Sequence, residues 1–302
     1  MVNFRNKVSV FPEIHEFPGQ NGLETFFYLL FVPVGAVTIL QKLFKSVTGI
    51  LLFFTKVVSE RPGASQIKPK GCFGMFTGSL IVHITAGFLA LGVFWIPLVT
   101  KKGGRTHRRA GWIFVFAMMT VAFTAFHLSF YRLFVSAGRT PGEDAFSYFL
   151  LFIAVLSIAT AWHGMRVLRF KKRKAIHRHP VDIGISFLLL GSGLAACLYG
   201  FVQGIALITY FPIIGIALGS LQLYYWLRPP AERMHWLYEH LGSMIGCSIA
   251  TITAFTVFGA PQLLNMEEVS LFIWLLPTFL LVPLIIGFTR HYQRKYSRPV
   301  SK

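Results

Sequence analysis

Eight stretches of nearly continuous apolar residues, near 24–40, 74–99, 110–135, 145–168, 181–203, 205–226, 236–258 and 271–290, are separated by short polar segments. At a rise of about 1.5 Å per residue, a run of about 20 residues crosses the hydrocarbon core of a bilayer. The pattern therefore predicts an all-α, polytopic helical membrane protein with about eight transmembrane helices. It divides the chain into an amino-terminal region (1–73) with one span and a basic segment, a seven-helix membrane domain (74–290), and a basic tail (291–302). Composition agrees: 54% of the 302 residues are hydrophobic and the mean hydropathy is +0.61, too apolar for an ordinary soluble fold.

Charge adds direction. The formal net charge is +18, but the basic residues sit in short loops between spans, which marks cytoplasmic loops rather than a nucleic-acid surface. The segment 101–109 carries Lys101, Lys102, Arg105, Arg108 and Arg109, and 169–180 carries Arg169, Lys171, Lys172, Arg173, Lys174 and Arg178, with no acid in either. The alternate connections are poor in positive charge. Seven consecutive spans thus follow the positive-inside rule, placing the carboxyl terminus in the cytoplasm of a cell with this protein in its inner (plasma) membrane. Partners on that face are the lipid bilayer and its anionic headgroups, with no nucleic acid.

The amino-terminal region fits this alternation less well. Lys42, Lys45, Lys56, Arg61, Lys68 and Lys70 fall where an outside segment is due. The stretch is either a basic external segment lying partly in the interface, or residues 43–59 make a short further crossing. The first 22 residues have no n-region, h-region or cleavage site, so no cleaved signal peptide is expected. Cys72, Cys197 and Cys247 show no metal or disulfide spacing.

The chemistry-bearing feature is a set of histidines inside these spans. Ionisable groups at membrane depth are costly and point to function. His83 and His127 lie at one depth in the outer half, and His163 and His240 at a second depth nearer the cytoplasm. Two imidazoles at one level on facing helices are what bis-histidine ligation of haem b needs, and two layers would carry an electron across the membrane. Gly87 and Gly164 offer space for a macrocycle. Two other readings stand beside this one. Each histidine can hydrogen-bond a neighbouring hydroxyl, with Thr85, Thr124, Ser129, Thr160 and Ser243 nearby, or the site can hold a metal or relay protons. For the last, His107, His235 and Glu239 are secondary candidates, since Glu239 follows His235 by one turn and can orient an imidazole. Glu239 can alternatively pair with Arg108 or Arg166. The pairs Gly200/Gly204, Gly215/Gly219 and Gly242/Gly246 predict close helix packing.

Residues 78–118, GSLIVHITAGFLALGVFWIPLVTKKGGRTHRRAGWIFVFAM, with His83 and Gly87 in one helix and His107, Arg108 and Gly111 opening the next, resemble an uncharacterised bacterial family of multi-pass membrane proteins of unknown function. Residues 240–255 are similar to a later element of such proteins. That resemblance implies the fold and no activity. A looser similarity, to the two-haem b-type membrane cytochromes, implies haem between histidines, although the histidine-bearing helices here are not four consecutive ones. The functions left open are electron transfer through haem, a membrane transporter or channel, and a structural or assembly protein without cofactor. No nucleophile–base spacing, phosphate loop or HExxH motif suggests an enzyme.

Overall fold

The computed structural model describes residues 70–136, 140–259 and 271–296, all within the compact unit Gly49–Lys302. The expected first span (24–40), the segment 43–59 and the last six residues lie outside the described residues. Helices follow one another with no strand among the described residues: α1 (Lys70–Val93), α2 (Trp95–Val99), α3 (Arg105–Phe134), α4 (Pro141–Arg166), a 3₁₀ turn (Val167–Arg169), α5 (Pro180–Gln203), α6 (Ala206–Tyr210), α7 (Ile213–Leu227), α8 (His235–Ala254) with a π turn (Phe255–Gly259), and α9 (Leu271–Tyr296). Seven helical segments are long and apolar enough to span a membrane: Gly74–Val99, Arg105–Phe134, Pro141–Arg169, Pro180–Gln203, Ala206–Leu227, His235–Val257 and Phe272–Arg294. The protein is an all-α multi-pass membrane protein, and these seven spans match the last seven predicted.

Local chemistry sets the ends. Thr140 and Glu143 form a capping box around Pro141, each side chain taking the other's backbone N–H, so α4 starts several residues before its apolar run. The α5 helix stops at Gly204, whose φ of 66° is left-handed backbone that glycine adopts without strain. Pro212, which has no N–H to donate, opens α7 and divides the fifth of these seven spans into α6 and α7.

The first and second spans pack as an antiparallel pair, α1 on α3. Helix α4 packs on α3, α5 and α8, α5 pairs with α7, and α9 lies against α8. Over its most apolar window α4 is 61% buried against 11% for α9, so among the described residues α4 is the axis of the bundle and α9 lies at its periphery. Around α4 an aromatic core gathers Phe149, Phe152, Phe211 and Trp274. A second core joins Phe94, Phe114, Met118 and Cys247 between α1, α3 and α8. Hydroxyls inside the spans mostly satisfy themselves on their own helix, as Thr85 does on Ile81 O, Ser157 on Ile153 O and Thr160 on Leu156 O. They are therefore not spent on histidines, with Thr124 the exception.

Close glycine contacts fall at two of the three expected pairs. A Cβ on Gly219 would lie 2.8 Å from Leu190 N, and one on Gly215 would lie 2.6 Å from the Phe152 ring. Gly200 presses on the backbone of α6. The third pair departs from expectation: among the described residues nothing lies within 4 Å of a Cβ on Gly246, and only Ile285 approaches Gly242, at 3.9 Å. The seam of α8 there is open.

Candidate functional site

The ends of α3, α4, α5, α7 and α8 that carry the basic loops form one face of the bundle, the basic end. At its centre lies Asp182, in the first turn of α5, with its carboxylate fully buried. Burying an unpaired charge is prohibitive, so the carboxylate must be fully partnered. Trp162 Nε1 donates to it at 2.9 Å, Arg166 Nε at 2.9 and 3.0 Å, and His177 Nε2 at 2.7 Å. Arg166 also lies 5.0 Å over the Phe170 ring. Arg173 donates to Tyr225 O and Arg228 O, both at 2.8 Å, and lies 4.5 Å over the Tyr225 ring. The segment 167–179 is thereby stapled to the end of α7.

Beside this staple sits His163, only 2% exposed. Its Nε2 is 3.0 Å from Glu239 Oε2, whose side chain is 36% exposed. Tyr225 and Trp226 stand edge-on to the ring at 5.4 and 5.3 Å. The Tyr225 hydroxyl shares a 2.8 Å hydrogen bond with His235 Nδ1. Three buried nitrogens around Tyr225 have no hydrogen-bond partner among the described residues: His163 Nδ1, His235 Nε2 and Arg173 Nε.

A third group faces the other way. His240 Nδ1 donates to Gly164 O at 2.7 Å and His107 Nδ1 donates to Pro97 O at 3.1 Å. Their rings lie 6.4 Å apart at 63°. In the other half of the bundle, His83 Nδ1 donates to Val121 O at 3.1 Å and lies 2.9 Å from Thr124 Oγ1. His127 Nδ1, one turn along α3 from Thr124, is buried without a partner, as are Thr77 Oγ1 and Ser129 Oγ.

His163 and His240 lie at one level, as read from the sequence, whereas His83 lies level with Val121 and Thr124, a turn before His127 on α3. On α4 and α8, His163 and Gly164 lie level with Glu239 and His240, but His163 turns to α7 while His240 turns to α3. The space beside Gly164 is filled by Met244 and Ser243, since a Cβ there would lie 2.4 Å from Met244 Cε. His83 hydrogen-bonds the α3 backbone directly, so α1 and α3 touch where a porphyrin would have to lie. The haem pairs His83/His127 and His163/His240 therefore do not fit this arrangement. Helical phase is what decided it, and a span that is apolar all round does not disclose its phase. The secondary candidates fare differently. Glu239 pairs with His163 and not with an arginine, Arg166 belongs to Asp182, and His235 meets Tyr225. Among the described residues no three His, Cys, Asp or Glu side chains converge as a metal cage.

Asp182, Arg166, Tyr225 and Trp226 were not singled out as site residues by sequence reasoning. One signal for Asp182 was present: it is the first acid after a long basic run and it sits at the start of an apolar span, where ionisable residues are rare. No family model, curated protein or solved structure matches the chain.

Proposed function

We propose that this multi-pass protein belongs to the transporter class and handles protons at its basic end, which faces the cytoplasm of a plasma membrane. The observation that carries the reading is the His163–Glu239 pair. A carboxylate only accepts, so the imidazole hydrogen lies on Nε2 and the buried Nδ1 presents a lone pair that nothing binds. That atom is a vacant proton position, and Glu239 connects it to solvent. A proton taken at Nδ1 makes an imidazolium held by Glu239, and release of the Nε2 proton to the carboxylate completes one relay step. Deeper in the bundle further polar side chains meet across helices: Thr160 Oγ1 of α4 lies 3.6 Å from Cys247 Sγ of α8, and Thr251 Oγ1 of α8 donates to Met118 Sδ of α3 at 3.1 Å. The exposed Lys172, Lys174 and Arg178 are placed for anionic headgroups.

In liposomes carrying an internal pH dye, the full-length protein should collapse an imposed pH gradient faster than empty vesicles. Glu239→Gln and His163→Gln should both abolish the difference. Equal rates with and without the wild-type protein would end this reading and leave a structural role. A Soret band in the purified protein would instead return haem electron transfer. The orientation is tested separately: a reporter fused after Lys302 should be active only in the cytoplasm, and periplasmic activity would reverse it.

A further inference from the structure

His107 and His240 are not used by the proton path. Both give Nδ1 to a backbone carbonyl, and a carbonyl can only accept, so in the neutral ring the hydrogen is fixed on Nδ1 and the lone pair on Nε2. This is the hydrogen bond that orients metal-ligating histidines and fixes their tautomer. No partner is found for either Nε2 among the described residues. A linear nitrogen–metal–nitrogen unit spans about 4 Å, from two bonds of about 2 Å. The 6.4 Å between ring centres leaves the remainder for the two imidazole half-widths. The rings meet edge-on, and their separation admits one ion between them when the two Nε2 atoms turn toward it.

We infer that His107 and His240 form a two-coordinate site for a soft monovalent cation, copper(I), at the basic end. Three features select that ion. Imidazole is a good copper ligand, whereas a structural zinc site takes four ligands, and no group of three candidate side chains occurs among the described residues. Lys102, Lys171 and His107 all lie close enough to His240 for their charge to act on it, so a singly charged ion meets less repulsion than a doubly charged one. Two-coordinate binding also sets no required twist between the rings, which stand at 63°. The site is bracketed by backbone: Pro97 O, which holds His107, also accepts from Lys102 Nζ at 2.9 Å, so the connection from α2 to α3 is fixed under the ligand.

The test uses the full chain in detergent with Cys72, Cys197 and Cys247 replaced by alanine, so that thiols do not compete. Silver(I) in chloride-free buffer and copper(I) buffered by a chromophoric chelator are the probes. One equivalent of each should bind. His107→Gln and His240→Gln should each weaken binding by more than the ~10–100-fold that loss of a supporting hydrogen bond costs, while His83→Gln and Glu239→Gln should leave it unchanged. Nitrogen-15 histidine spectra of the cysteine-free protein, which need no histidine variant to fold, should show two Nε2 resonances moving on silver addition. Absence of saturable binding, two unmoved resonances, or zinc(II) binding as tightly as silver(I) would each overturn the site. Because Glu239→Gln is the variant that tests the proton path, failure of one reading leaves the other standing.

Discussion

Asp182→Ala should lower the unfolding free energy by about 3–5 kcal/mol, the usual cost of removing one partner of a buried ion pair. The loss is large because the carboxylate is shared. Without it Arg166 keeps its place between Trp162 and Phe170 with no counter-charge, Trp162 Nε1 and His177 Nε2 lose their acceptor, and the segment 167–179 loses its inner anchor. Asp182→Asn retains an acceptor oxygen and should recover only part of the loss, because the guanidinium stays unpaired. Denaturation in mild detergent measures both. Midpoints for both variants equivalent to less than about 0.5 kcal/mol from wild type, the range of an ordinary surface change, would show that the cluster does not hold the basic end together.

Gly200→Ala should be nearly as damaging although it adds one methyl group. The new Cβ would lie 2.4 Å from both Ile208 C and Thr209 N, backbone atoms of α6 that no rotamer change can move aside. Overpacking a well-filled site costs about 1–3 kcal/mol, and a clash with backbone belongs at the upper end. Gly246→Ala, by contrast, meets nothing within 4 Å and should be neutral or slightly stabilising, since alanine favours a helix over glycine by up to about 1 kcal/mol. Thermal unfolding of the two variants side by side decides the matter. Equal midpoints would refute the packing of α5 on α6.

That contrast shows how far the sequence can be read. Length and hydropathy located seven spans because both follow from bilayer thickness, and they erred at ends where caps govern. The α4 start is an example: Thr140, Pro141 and Glu143 spell a capping box, but they are too polar to count as span. Depth was legible for the same reason, so His163 and His240 could be set at one level. Direction was not. Gly215 and Gly246 both belong to small-xxx-small pairs, yet a Cβ on one would meet Phe152 and on the other nothing among the described residues, a difference set by helix rotation. The partner of Glu239 was missed likewise: arginines were plentiful nearby, but Arg166 was already committed to Asp182, a preference that arises only once α4 and α5 are packed.

The staple at the basic end also changes what its charges mean for membrane insertion. Arg173 belongs, by sequence, to the basic run that the positive-inside rule reads as an orientation signal, and Arg166 stands just ahead of that run. Once folded, their guanidiniums are turned inward, and Lys171 lies 4.5 Å over the Trp236 ring. On that reading Arg173 acts twice, first on the nascent chain as an address and later, with Arg166, as a fastener of the finished bundle. Charge-swap experiments designed to invert the protein should therefore be confined to Lys172, Lys174 and Arg178, whose removal alters the address without unfastening the bundle.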